Sequence, residues 1–290
     1  MKLEITDKHA LLNFTSLDDL ADHTDRTAKG HRRQRVKEDP EWHGGVKDMD
    51  ELTKLARTGL TQDGIDALRL SEQNIEELDR DLIKQTFKAE YSETGSDVDV
   101  ARYLSGEQEC MINYQLHDTV NTQRVVTLAV GIAVHCGIDP KAVTKHGQAL
   151  MSLVEAIDRT GLQTEMWADC SIKASAWWGG DDGGSSYTGR VKVLLKSPGQ
   201  ILDPGAFMFM LTHVGAFRGL VLSAIYEFPR EWRDAMRIMD GGGHGQPINQ
   251  AYRIAEDYPE GTIYIPSISE DGQAGKALNE TLKKLNLLNA

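Results

Sequence analysis

The side chains best suited to nucleophilic or metal chemistry in this chain are its three cysteines and nine histidines. Cys136, with His117 or His213 as the base, supplies the residue types of a thiolate nucleophile, which needs a base and an orienting group. The competing expectation is that Cys136 packs in the core, because cysteine is among the most buried residue types. His117-Asp118, His135-Cys136, Asp169-Cys170 and His213 are also metal-ligand types. No pair has the spacing of a zinc or iron site, so neither a metal nor a cofactor is expected. Cys110, Cys136 and Cys170 are odd in number and widely spaced, which argues against a disulfide framework and against a CxxC zinc site.

Three other stretches carry binding rather than bond-making chemistry. Arg26, Lys29, Arg32, Arg33, Arg35 and Lys37 fall within one run that contains no acid. Such a run could contact phosphates. Alternatively it is a solvated helix face paired with Glu72–Asp99, where nine acids meet three bases. Trp177-Trp178 borders the Gly/Asp-rich turn 179–186. Exposed, the pair would stack on bases or anchor a protein partner; hidden, it closes one end of a sheet. Gly241, Gly242, Gly243, His244 and Gly245 could bring bare amides to a phosphate. They lack the G-x-x-x-x-G-K-[ST] pattern, and a helical segment rather than a strand precedes them, so a loop between helices is the favoured reading.

The elements that must position these residues can be read from length, charge and periodicity. The chain has 290 residues, a formal charge of −12 and 40% hydrophobic residues. That is enough for a packed core in one large domain or two modest ones. No apolar run approaches the roughly 18 residues of a membrane span, and Met1-Lys2-Leu3-Glu4-Ile5 lacks a signal peptide's apolar stretch. A cytoplasmic protein without membrane contact is the expectation. The charge is uneven: residues 1–118 hold 26 acids and 16 bases, residues 119–290 hold 18 and 16. The total therefore disfavours whole-surface attraction to nucleic acid and leaves the basic run as a local exception.

Residues 1–45 are weakly patterned, apart from a helix start at Leu17, Leu20 and Ala21 with Ser16 as its cap. Residues 46–106 read as helical. Val46, Met49, Leu52, Leu55 and Ala56 follow helical spacing with Gly59 as the stop, and a longer helix is predicted from about residue 63 to 91. Residues 107–290 read as an α/β domain. Strands are predicted at 111–117, 123–136, 162–174, 190–196 and 262–265. Asp139-Pro140 and Asp203-Pro204 each pair an N-cap with a first-turn proline, the second opening a helix through about Tyr226. Short helices are predicted near 230–239 and 274–288. The order β-β-α-β-β-α-α-β-α predicts a mixed-sheet, layered α/β fold behind a helical N-terminal region.

Two segments resemble a known family. Trp42–Gly59 is similar to an aromatic-x-Gly-x₆-Glu-x₃-Leu-Ala-x-x-Gly pattern, and Val100–Asn113 resembles a YLxGxxxCM element. Both occur in a family of uncharacterised proteins of tailed bacteriophages and prophages, which has no assigned catalytic residues. The commoner pattern has Thr and Trp where this chain has Gly45 and Leu60. The C-terminal element order also resembles a von Willebrand factor A-type domain. That family binds a divalent metal through a D-x-S-x-S loop, and the equivalent stretch Ala129–Cys136 holds neither Asp nor Ser. The resemblance thus implies a phage setting and no metal.

The favoured expectation is a non-catalytic binding or assembly protein of the infected cell, with a protein partner or self-association. Its location is the host cytoplasm, with virion association open. The second is a nucleic-acid-binding protein using residues 26–37 and Trp177-Trp178. The third is an enzyme, perhaps on nucleotides, built on Cys136, His117 and His213.

Overall fold

A computed structural model of the chain describes residues 1–28, 30–78, 88–95, 97–115, 125–173, 187–238 and 246–270, together with 273, 279–281 and 283. The chain opens with strands β1 (Lys2–Thr6) and β2 (His9–Phe14), then helices α1 (Leu17–Thr27), α2 (His31–Glu38), α3 (Met49–Thr58) and α4 (Thr61–Leu78). A small antiparallel sheet follows, from β3 (Lys88–Ser92), β4 (Asp97–Val98) and β5 (Met111–Gln115), with the short helix α5 (Val100–Leu104) between its last two strands. Next come β6 (Val125–Gly131), α6 (Pro140–Arg159), β7 (Gln163–Lys173), β8 (Thr188–Lys196) and α7 (Pro204–Thr212). A π-helix (Ala216–Val221), α8 (Leu222–Ala224) and a 3₁₀ turn (Ile225–Glu227) lead to α9 (Arg230–Met236), β9 (Gln246–Pro247), α10 (Ile254–Asp257) and β10 (Ile263–Ile265).

The main sheet is mixed, with strand order β1-β2-β8-β7-β6-β10. The β2–β8, β6–β7 and β6–β10 pairs are parallel, and β1–β2 and β7–β8 are antiparallel. β9 pairs with the end of β7, in the lane that β6 leaves after Gly131. Alternation sorts the two faces. Leu12, Phe14, Val191, Val193, Ala168, Cys170, Leu128 and Val130 share one face and form a single apolar cluster with Leu20, Leu52, Ile75, Leu150 and Phe207 of the helices. The other face carries Arg190, Lys192, Asp169, Ser171 and His9.

The predicted caps are where the helices begin. The Ser16 hydroxyl accepts from the Asp19 amide at 3.0 Å, Asp139 from Lys141 at 2.9 Å, and Asp203 from Gly205 and Ala206. Gly59, at φ +69°, stops α3 as expected.

Several boundaries need correction. Residues 1–45 are not an unpatterned segment, because β1 and β2 belong to the main sheet and share the core of the later elements. The residues His9-Ala-Leu-Leu-Asn-Phe14 are buried on both faces, so they lack the alternation by which a half-exposed strand is recognised. The split at residues 46 and 107 therefore does not separate cores. The predicted long helix is helical over Thr61–Leu78, residues 79–87 lie outside the described residues, and the helix does not extend through Tyr91. Lys88–Ser92 is a strand, because its backbone pairs with Met111–Gln115. The 111–117 strand consequently sits in the small sheet. β6 ends at Gly131, where the Tyr264 hydroxyl and the Ser267 amide approach too closely for a side chain. The helix from Pro204 is broken after Thr212 and bent by 74°. No described helix is long and apolar enough to cross a membrane. The expected turn at 179–186 and most of the 274–288 helix lie outside the described residues.

Candidate functional site

A cavity of about 120 Å³ lies between α2, the loop after it and the π-helix. Its walls include Arg32, Arg35, Trp42, His43, Arg218 and Tyr226. α2 is polar almost throughout and buries only Val36, which leaves its arginines free to face the cavity or solvent. Arg32 donates to the Ser223 carbonyl at 2.8 Å, lies 3.4 Å from Glu227 and sits 5.1 Å from the Tyr226 ring centroid. Arg35 is exposed, and its side chain makes no hydrogen bond or ion pair among the described residues.

The loop after α2 is shaped by two glycines in the left-handed region, Gly44 and Gly45. A Cβ on Gly44 would meet the His213 ring at 2.6 Å, so this position is restricted by both conformation and space. The loop presents Trp42, 40% exposed, and tucks His43 beneath it. The His43 ring is 2.8 Å from the Asp39 carbonyl, and burial holds its pKa below the usual histidine range.

The opposite wall is the π-helix, a rare wide turn that often marks a functional position. It carries Arg218 across the cavity mouth, and Gly219 lets it pack onto α3. A Cβ on Gly219 would stand 2.1 Å from the Leu52 side chain. The Arg218 guanidinium stacks 3.8 Å from the Trp42 ring centroid and donates to the Trp42 carbonyl at 3.0 Å. Burial lowers the pKa of Arg218, and Cys136 and Asp39 offset only part of that effect. No described carboxylate pairs with it. A half-buried guanidinium stacked on indole, with no carboxylate in ion-pair contact among the described residues, is suited to receive an oxyanion through its paired donors.

Arg218 also forms a wall of a smaller, apolar cavity of about 50 Å³ beyond β6, to which His135 and His213 contribute. The His213 ring stacks on Phe209 at 5.2 Å and accepts from the Gly215 amide at 3.1 Å. Burial lowers its pKa. Cys136 is exposed rather than packed in the core, because the chain has left the sheet five residues earlier. It makes no hydrogen bond to His135 or His213 among the described residues. Cys170 is the buried cysteine, and burial pushes its thiol far above the ordinary range. His117 lies outside the described residues.

On the opposite sheet face a second cluster has the reverse character. Arg190, fully buried, reaches Asp169 at 2.8 Å and Ser171 at 2.9 Å, and it also bonds Asp257 and the Tyr252 and Arg253 carbonyls. His9 lies 3.1 Å from Asp257 and 2.8 Å from Thr188, and the Tyr258 hydroxyl donates to Asp169 at 2.7 Å. Burial opposes the charge on Arg190, but Asp169, Tyr258 and Asp257 reverse that and keep it ionised. Lys192 donates to the Asp257 carbonyl at 2.7 Å. These contacts fasten residues 252–258 over the sheet. Sequence reading missed this cluster. The available signal was Arg190 and Lys192 alternating with Val191 and Val193, which assigns the charges to the face away from the helices.

Of the six basic residues singled out, the structure brings Arg32 and Arg35 to the cavity. Arg33 bonds Asp50 and the Ala28 carbonyl and lies 3.7 Å from Asp25, tying α2 to its neighbours. The ion pairs of this run among the described residues are with Asp25, Asp50 and Glu227, not with Glu72–Asp99. Arg26 and Lys37 are exposed and stand outside the cavity wall. Lys29, Trp177, Trp178 and Gly241–Gly245 lie outside the described residues. Trp42 and Arg218 were not anticipated as partners, because nothing local links positions 176 residues apart. No group of three His, Cys, Asp or Glu side chains converges as metal ligands among the described residues.

The fold and site define a mixed-sheet α/β protein with an arginine- and aromatic-lined cavity beside its helical layer. The chain belongs to the family described as "Domain of unknown function (DUF7192)", which matches residues 2–289. No curated protein and no solved structure matches it.

Proposed function

We propose that the protein is a non-catalytic binding protein whose ligand carries phosphate: a nucleotide, or the nucleotide units of a single-stranded nucleic acid. The observation that supports this reading is Arg218, half-buried, stacked on Trp42 and without a carboxylate partner. Arg35 adds a second side-chain charge with no partner among the described residues, and Arg32, held by Ser223 and paired with Glu227, lines the same cavity. Phosphate takes the guanidinium donors, and a base stacks on the exposed part of Trp42 or on Tyr226. The phage setting implied by the resemblance of Trp42–Gly59 and Val100–Asn113 belongs to the same proposal. Such a site on an acidic protein selects for a short anionic ligand over a long duplex, because the remaining surface repels one.

Tryptophan fluorescence titrations with nucleoside monophosphates, a single-stranded oligonucleotide and a duplex, at two salt concentrations, test this reading. Binding should weaken as salt rises, and Arg218→Ala should weaken it by about tenfold or more. The reading fails if none of the three ligands binds, or if Arg218→Ala binds as tightly as the parent.

A further inference from the structure

Strand β1 forms one edge of the main sheet. It pairs with β2 on one side and with no strand on the other among the described residues. All five of its residues are exposed, and it has neither a proline nor a bulge to spoil further pairing. Its two faces differ in character. Leu3 lies opposite Leu12 and Ile5 opposite Ala10, both fully buried, so the apolar layer beneath the helices extends to β1 and stops there uncovered. Lys2 and Glu4 occupy the other face, 3.0 Å apart.

We propose that β1 pairs antiparallel with β1 of a second copy of this chain, about a two-fold axis through Leu3. In that register Lys2 faces the partner's Glu4, Leu3 faces the partner's Leu3, and Ile5 faces the partner's Met1. Each charge meets its opposite, and each apolar residue meets another on the face that continues the core. Every neighbouring arrangement is worse. A shift of two residues sets Lys2 against the partner's Lys2, or Glu4 against the partner's Glu4. A shift of one mixes charges with apolar side chains on both faces. Parallel pairing in register aligns like with like. The self-complementary segment thus admits one good register, and it joins two sheets into one across the dimer axis. The partner supplies the hydrogen bonds that the outer edge of β1 lacks.

Sedimentation velocity of the full chain over a concentration series up to about 0.5 mM reads this directly. The parent should shift from monomer to dimer as concentration rises. Lys2→Glu and Glu4→Lys should each raise the dissociation constant about tenfold or more, because each places like charges opposite one another. The double variant K2E/E4K restores opposite pairs in the same register and should recover the dimer. These residues are exposed, so thermal unfolding of all four proteins should coincide at concentrations low enough that each is monomeric. A parent that stays monomeric across the series overturns the proposal. So does a double variant that dimerises no better than the single ones, or single variants that dimerise like the parent.

Discussion

Arg190 and Arg218 are both drawn out of water, and their surroundings could hardly differ more. Arg190 is enclosed by Asp169, Asp257, Ser171 and two backbone carbonyls. Arg218 meets a ring and one carbonyl, with no carboxylate in ion-pair contact among the described residues and only partial compensation from Asp39. In the first arrangement every guanidinium nitrogen has a partner, Nε within the sheet and the two terminal nitrogens on residues 252–257, which ties that segment to the sheet. The second leaves donors without a partner among the described residues, open to the proposed phosphate. Burial of a charge is therefore a poor guide to function until its partners are counted, and the unpaired case is the one that points to a ligand.

The contrast can be broken most directly at Arg190. Arg190→Met leaves the Asp169 and Asp257 carboxylates buried without their cation, and unfolding in urea should show a loss of about 3–5 kcal/mol. A loss under about 1 kcal/mol would mean the cluster does not hold the fold. Histidine gives the same comparison at intermediate size. His9 sits between Asp257 and Thr188, whereas the buried His146 ring finds no hydrogen-bond partner on either nitrogen among the described residues, and burial pulls its pKa down to about 4. Unfolded histidine titrates near 6.5, so the unfolded chain binds this proton first as pH falls. Stability from this group is complete above about pH 6.5, declines between 6.5 and 4, and is down by about 2 kcal/mol at pH 5. His146→Leu should remove that part of the decline, seen by comparing urea midpoints at pH 7 and pH 5 for both proteins. The smallest effect belongs to Arg218. Arg218→Gln should alter stability by less than about 1 kcal/mol, because the lost stacking is offset by relief of an unpaired charge. A thermal melt matching the parent, together with weakened ligand binding, would sharpen the distinction between the two arginines.

Sequence reading reached the parts of this molecule that local chemistry decides. Ser16, Asp139 and Asp203 cap helices through bonds that span two or three residues, and Gly59 ends a helix through its own backbone. The alternation in 125–131 and 163–173 identifies strands because one side of each faces the helices. What it missed depends on distant partners. β2 is a strand because β8 lies beside it, and Lys88–Ser92 is one because Met111–Gln115 does. The cavity follows the same rule. Arg32 and Arg35 were legible as charges, but Arg218 and Trp42 become a site only when a broken helix and a glycine loop bring them together.

The parallel pairing of β2 with β8 also sets an order of events during synthesis. The apolar strand His9–Phe14 is made early, yet the neighbour that covers its second edge begins at Thr188. At about 5–20 residues per second, ribosomes need roughly 10–40 s to bridge that gap. Throughout that interval the second edge of His9–Phe14 has no β8 to pair with, although α1 is already available to cover Phe14. The nascent chain therefore carries an unpaired apolar strand edge at its start, and a translational pause before residue 188 would lengthen its exposure to aggregation.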